Sequence, residues 1–319
     1  MKKKRIHQNW LTRKDYENLF FNCGFKIVKS SREIACPIYI PLISRFLNTI
    51  IPCIPVLRNF CLLEHFVVSK KEMHPDRQAS LSCSVLIPCK NEEENIPLIL
   101  ERMPKMGTFT EILFVNDAST DRTGERMLEA RERHPEFRIN IFQGEGKGKG
   151  AACRKGFEHA TGDVLMILDA DLTVVPEVLP DFFEILESGV AEFVNGSRMV
   201  YELEKNSMRF ANRLGNIFFS GLFSWITGLR INDTLCGTKV CLRKDYSRIL
   251  ETRTYLGEKD VWGDFDWIFG AARHNLIYTE LPVHYFPRNF GETKMTRRLA
   301  NAMIMLKHCR IAYRKLKAF

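Results

Sequence analysis

The stretch Val164-Leu-Met-Ile-Leu-Asp-Ala-Asp-Leu-Thr173 decides how the rest of the chain is read. An apolar run from Val164 to Leu168 ends abruptly in two carboxylates, Asp169 and Asp171, one residue apart. So short and apolar a run predicts a buried strand of the kind found in parallel sheets. In open α/β sheets ligands gather outside the carboxyl ends of the strands, which is where this pair emerges. Two ionised carboxylates this close repel one another unless a cation lies between them. A hard divalent ion, held by one or two carboxylates and by a substrate's phosphate oxygens, suits the pair. An acidic strand-to-loop turn with Asp as a cap suits it as well, so the neighbouring sequence has to decide.

Upstream, strands are predicted over 83–87, 111–115 and 138–142. Helical apolar spacing follows over 96–103 and 124–133, and again from the loop Gly144-Glu-Gly-Lys-Gly-Lys-Gly150 through residue 160. Ser119 or Thr120 is placed to cap the second helix. Strand–helix alternation at this spacing predicts a doubly wound, mainly parallel sheet. Polar residues recur at each strand end. Asp117 and Asp121 could accept hydrogen bonds from a base or ribose, although Asx-turn chemistry explains them too. Lys147 and Lys149, with the backbone N–H groups of their glycine loop at a helix start, suit phosphate. The loop is not a Walker motif, because Gly150 follows Gly148-Lys149 where Ser or Thr is required.

Taken in order, Ser84-Val-Leu-Ile-Pro-Cys-Lys-Asn-Glu-Glu-Glu-Asn-Ile96, Val115-Asn-Asp-Ala-Ser-Thr-Asp-Arg-Thr123, Gly148-Lys-Gly150, Asp169-Ala-Asp171 and Asn195-Gly-Ser-Arg198 resemble family 2 glycosyltransferases of the GT-A fold. Asp233-Thr-Leu-Cys-Gly-Thr-Lys239 and Trp262-Gly-Asp-Phe-Asp-Trp267 add to the likeness, which is nearest to polyprenyl-phosphate (dolichol-phosphate) mannosyl- and glucosyltransferases. The resemblance implies an inverting hexosyl transfer from a nucleotide-diphosphate sugar. It places Pro88, Glu92 and Asp117 in the nucleoside pocket and Lys149 near the nucleotide. Asp169 and Asp171 would hold Mg²⁺ or Mn²⁺ against the diphosphate. Arg198 and Arg213 would meet phosphates, those of a lipid-phosphate acceptor, through bidentate contacts. Asp266, with Asp264 beside it, would serve the acceptor as base or orienter; first-turn stabilisation of a helix over 267–273 is the plainer account of both. Arg288 and Lys294 would belong to a loop closing over the diphosphate. Three departures bear on sugar and acceptor: Asn116 replaces the first Asp of the family's usual pair, Thr173 stands where Gln is frequent, and no carboxy-terminal transmembrane hairpin is present.

The bulk properties agree with polyanionic company. The net charge is +9 over 319 residues, and no nucleic-acid motif of a recognised kind occurs. The 10 cysteines are scattered without a Cys-x-x-Cys pair, which suits reduced, mostly buried thiols of a cytosolic protein. Met1-Lys-Lys-Lys-Arg5 lacks a following apolar h-region, so export is not expected. Three segments are expected: an extension over 1–80, helical, hydrophobic and basic; a GT-A domain over 81–293; and a basic amphipathic helix over 294–319. In the extension, Arg45, Arg58, Glu64 and four prolines keep every apolar run short of the roughly 20 residues a spanning helix needs. The apolar cluster Phe218, Phe219, Leu222, Phe223, Trp225 and Ile226 suits a core helix or an interfacial one. In the last segment Leu299, Met303, Leu306, Arg310 and Tyr313 recur at helical spacing. Its uncompensated lysines and arginines suit anionic lipid, and attachment to the cytoplasmic membrane face is the expectation. A non-catalytic basic module binding membrane or nucleic acid, and a sugar-1-phosphate nucleotidyltransferase, are the rival readings.

Overall fold

A computed structural model describes residues 16, 20, 25–32, 34–54, 57, 64–70, 81–200, 210–252, 262–288, 290 and 298–316. The chain divides into two compact units, 1–73 and 74–319.

In the first unit, β1 (Phe25–Arg32) pairs antiparallel with β2 (Glu64–Lys70), and α1 (Ile43–Ile50) lies between them in sequence. The described part of the extension is thus part strand and part helix: besides α1, Tyr16 and Phe20 are helical and Ile51–Cys53 forms a 3-10 turn. The β-branched Ile27, Val28, Val67 and Val68 favour strands, and Pro41 and Pro52 confine α1 to eight residues. Asn48 ties α1 to the preceding turn: its Oδ1 accepts from the backbone N–H of Ala35 at 3.0 Å and of Cys36 at 2.7 Å.

The second unit is built on a seven-stranded sheet. Its strands are β3 (Cys83–Cys89), β4 (Thr110–Asn116), β5 (Arg138–Gln143), β6 (Val164–Ile167), β7 (Phe193–Ser197), β8 (Lys239–Leu242) and β9 (Tyr278–Pro282). Their spatial order is β5-β4-β3-β6-β8-β7-β9. β3 pairs parallel with β4 and β6, β4 with β5, and β7 with β9. β8 alone runs against its neighbours β6 and β7. The helices are α2 (Asn95–Glu101), α3 (Thr123–Arg133), α4 (Lys149–Phe157), α5 (Leu179–Glu187), α6 (Phe210–Thr227), α7 (Arg243–Thr252), α8 (Asp264–Arg273) and α9 (Arg298–Leu316).

The central strands β3, β4 and β6 are buried almost along their whole length because both faces are covered. Along β3, Cys83, Val85 and Ile87 join the core beneath α2 and α5, with Ile96, Ile99 and Phe182. Leu86, pointing the other way, packs with Cys153, Phe157 and Trp267 of α4 and α8. A third cluster ties α6, α8 and α9 together through Phe223, Phe269, Met305, Cys309 and Ala312. Burying a large side chain such as Phe223, Phe269 or Met305 stabilises the fold by roughly 1.5–3 kcal/mol.

Two local expectations are corrected. Asp121, and not Ser119 or Thr120, serves the start of α3: its Oδ1 accepts from the backbone N–H and the hydroxyl of Thr123 at 3.1 and 2.6 Å. Ser119 and Thr120 lie further upstream and pair with Asn91 in the loop after β3. On α9, Met303, Leu306 and Arg310 are exposed, while Met305, Cys309 and Ala312 face inward. The small Cys and Ala let α9 approach α6, a cue that counting only large apolar residues passes over. On α6, Phe219, Phe223 and Ile226 are buried, as a core helix requires, whereas Leu214, Ile217 and Phe218 are exposed. Among the described residues no helix is long and apolar enough to cross a membrane. Cys83, Cys89, Cys153, Cys236, Cys241 and Cys309 are buried and not in disulfides; burial pushes the Cys153 thiol up to about 12.

Candidate functional site

The carboxyl ends of β4, β5, β6, β7 and β9 open on one rim of the sheet, and the amino end of β8 joins them because that strand is reversed. Charged side chains converge there. Backbone strain converges too: Asn91, Ala118 and Leu172 adopt left-handed φ angles of 53°, 55° and 55° in loops on this rim. Such conformations cost about 1–3 kcal/mol each and cluster at functional loops.

Asp169 and Asp171 each meet a cation. Lys149 Nζ, from the start of α4, is 2.6 Å from Asp169 Oδ1. Arg288 Nη2, beyond β9, is 2.6 Å from Asp171 Oδ2, and Thr173 Oγ1 donates to Asp171 Oδ1 at 2.7 Å. Burial alone would raise the Asp169 carboxyl, but the Lys149 ammonium outweighs it and holds it below the usual range. Lys149 in turn feels burial pulling it down and is carried well above the usual lysine range by Asp169 and Asp264. Its Nζ is 3.7 Å from Asp264 Oδ1, and that oxygen also accepts from the fully buried Lys239 at 3.0 Å. Lys239 donates as well to the carbonyl of Cys236.

The glycine before β8 fits this cluster closely. A Cβ on Gly237 would stand 1.9 Å from Asp169 Oδ2 and 2.7 Å from Lys149 Nζ, so any side chain there would displace the carboxylate. Asp169 and Asp171 supply hard oxygen donors of the kind Mg²⁺ and Mn²⁺ accept. Among the described residues no group of three or more His, Cys, Asp or Glu is gathered to hold an ion. Two carboxylates suit an ion completed by water and by a ligand's oxygens.

The other expected residues fall into place unevenly. Asp117 is buried at the end of β4, and its two oxygens accept from the backbone N–H of Gly146 at 2.8 Å and Gly148 at 3.0 Å. It shapes the glycine-lysine loop, a use that spacing alone does not reveal. Glu92 is buried, with its Oε2 accepting from Asn95 Nδ2 at 2.8 Å, and Pro88 is half-buried in β3 opposite Val115. Arg198 is the clearest departure from an open phosphate ligand. Asp233 takes its Nε at 2.6 Å and its Nη2 at 2.8 Å, and the guanidinium lies 4.9 Å over the Tyr285 ring. Arg213 is exposed on α6. Lys294 lies outside the described residues.

Asp264 and Asp266 part company. Two positions apart on a helix they project to nearly opposite sides. Asp264 enters the lysine cluster, whereas Asp266 lines a small cavity with Arg154, Tyr246, Leu250 and Trp267. Sequence reasoning missed the parts played by Asp233, Lys239 and Gly237, though all three lie in a motif it singled out. A lysine heading the apolar strand Val240-Cys-Leu242 was the available signal, since a buried ammonium requires a carboxylate.

A sheet of this order, with a carboxylate pair at the end of its central strand and a lysine loop beside it, defines a GT-A type of sugar-nucleotide transferase architecture. The family model described as "Glycosyl transferase family 2" matches residues 84–250, just over half of the chain. The chain belongs to glycosyl transferase family 2, and is a glycosyltransferase. Among solved structures it is similar to glucosyl-3-phosphoglycerate synthase from Mycobacterium tuberculosis. The form in complex with Mg²⁺ and uridine-diphosphate gives a TM-score of 0.53 at 16% identity over 73% of this chain and 81% of that one. The complex with Mn²⁺, uridine-diphosphate and glucosyl-3-phosphoglycerate gives 0.51 at 15% identity, covering 73% and 82%. The mannosyltransferase PcManGT from Pyrobaculum calidifontis, in complex with GDP-Man and Mn²⁺, gives 0.48 at 18% identity, covering 76% and 66%.

Proposed function

We propose that this chain transfers a hexosyl group, with inversion, from a nucleotide-diphosphate sugar to a polyprenyl phosphate or another membrane-associated acceptor, with Mg²⁺ or Mn²⁺ as cofactor. The observation that carries the reading is the pair Asp169 and Asp171 at the end of β6, each held by a cation from a different loop of the same rim. When bound, the metal would neutralise charge growing on the leaving diphosphate. Lys149 and Arg288 stand beside that position and would stabilise the same charge. Asp117 fixes the glycine-lysine loop by accepting from Gly146 and Gly148, and so sets the place of Lys149, which would meet the diphosphate; Pro88 and Glu92 would border the nucleoside. Arg198, fixed by Asp233, would present its remaining nitrogen, Nη1, towards phosphate.

An acceptor hydroxyl would need a base, which a carboxylate of α8 supplies. Asp266 has the family position, while Asp264 has the nearer geometry to Lys149. A phosphate acceptor is already an anion and needs only orientation. Exposed Leu214, Ile217 and Phe218 on α6, and Met303, Ile304 and Leu306 on α9, together with Arg213, Lys307 and Arg310, support a contact with anionic lipid on the cytoplasmic membrane face.

The test is a thermal-shift screen of the purified chain against UDP, GDP, CDP and dTDP and their sugars, with and without Mn²⁺. A ligand confined to the native state raises its apparent stability with the logarithm of concentration over Kd. One diphosphate should give a metal-dependent shift that Asp171→Ala removes. A folded sample that responds to none of them would return the basic binding module to first place. Failure to float with anionic liposomes at physiological salt would remove the membrane part alone.

A further inference from the structure

Among the described residues the rim carboxylates are matched by cations in two groups: Asp169 and Asp264 with Lys149 and Lys239, and Asp171 with Arg288. A divalent ion added to them would leave two positive charges uncompensated in a half-buried place, which is costly. It would also have to displace two cations, each 2.6 Å from the carboxylate the ion needs. A nucleoside diphosphate brings the missing negative charge.

From these distances we infer that Lys149 and Arg288 are placeholders for the metal, and that the ion enters by charge exchange together with the diphosphate. Lys149 has a second partner ready. Asp264 Oδ1 is 3.7 Å from its ammonium and is held in place by Lys239, whose buried nitrogen is fixed by the Cys236 carbonyl. With metal held by Asp169 and Asp171, Lys149 would pair with Asp264 instead of Asp169, and Arg288 would meet diphosphate oxygens. Lys239 and Asp264 are thereby positioning residues: they give the released ammonium a place within reach of the leaving group. Metal and diphosphate then tighten one another's binding, as linkage requires of any coupled pair. This inference rests on the proposed metal-dependent transfer.

The experiment is a Mn²⁺ titration of the full chain, followed by loss of the free-ion electron paramagnetic resonance signal, alone and with inorganic pyrophosphate or UDP and GDP as probes. Wild type should bind Mn²⁺ alone weakly and at least tenfold more tightly with a diphosphate. Lys149→Met should tighten binding of Mn²⁺ alone while shrinking the diphosphate effect. Arg288→Gln, at a half-exposed position, should do the same and keeps the test open if Lys149→Met fails to fold. Wild type binding Mn²⁺ alone as tightly as either variant would overturn the exchange and leave the transferase reading standing. No Mn²⁺ binding under any condition would overturn both.

Discussion

Replacing Asp233 by Asn tests the most tightly built part of the rim. Asp233 is fully buried and accepts four hydrogen bonds: from Nε, Nη2 and the backbone N–H of Arg198 at 2.6, 2.8 and 3.0 Å, and from the backbone N–H of Leu235 at 3.0 Å. Nε and the Arg198 amide both address Oδ2, whereas Nη2 and the Leu235 amide address Oδ1. An Asn amide offers one oxygen, so two donors would face an NH₂ group whichever way it turned. The guanidinium would also lose its counter-charge while remaining buried. Breaking a buried pair from one side costs about 3–5 kcal/mol. At ~2–4 °C per kcal/mol for 150–250 residues, the midpoint of thermal unfolding should fall by about 6–20 °C. Urea unfolding followed by fluorescence of Trp225, Trp262 and Trp267 measures the loss directly. The double variant Arg198→Met with Asp233→Asn should be less damaged than the sum of the singles, by at least about 1 kcal/mol, as contacting residues couple. A loss below about 1 kcal/mol in the single variant, or strict additivity in the double, would refute the reasoning.

Acid should weaken the fold through the same rim. Burial works against Asp169 and Asp233, but Lys149 and Arg198 hold both below the ordinary carboxylate range; the folded state therefore binds fewer protons than the unfolded one. Their contribution is present above pH ~4 and fades as pH falls through the folded values, so a melting temperature unchanged from pH 6 to pH 3 would contradict it. Gly156→Ala should lose about 1–3 kcal/mol by overpacking, because its new Cβ would stand 1.9 Å from Leu86 Cδ1 between α4 and β3; chemical denaturation reads this. Phe223→Ala should cost about 3–5 kcal/mol, since that fully buried ring packs 4.7 Å from Phe269 and 5.2 Å from Phe265. An intact chain after that change would mean α6 is not integral to the core.

The sheet was legible because the runs 85–87, 112–115 and 164–167 are apolar on both faces, as a doubly covered strand requires. Asp169, Asp171 and Lys149 were legible because charge at the end of an apolar run has no structural reason to recur strand after strand. Arg198 was found without its partner: its residue type announces an anion, not that Asp233 takes two of its nitrogens. Asp264 and Asp266 were both found, yet their division of labour depends on where α8 begins, and a start at Asp264 puts them on opposite sides. The inward stripe of α9 was missed because Cys309 and Ala312 matter there by being small, and size complementarity with α6 has no signature in one helix alone.

The reversal of β8 has a practical consequence for anyone cutting or decorating this chain. In a uniformly parallel sheet, only segments leaving strands reach the working edge, and those approaching strands can be lengthened at will. Here the approach to β8, residues 232–238, reaches that edge and supplies Asp233, Gly237 and, at its end, Lys239. The exit from β8 falls on the opposite edge, where the Arg243 amide donates to the Asp163 carbonyl. Fluorescent labels, affinity tags and inserted domains are therefore best grafted near 188–190 or 273–275, where the chain is exposed or half-buried, while the eight residues before Val240 should be treated as untouchable.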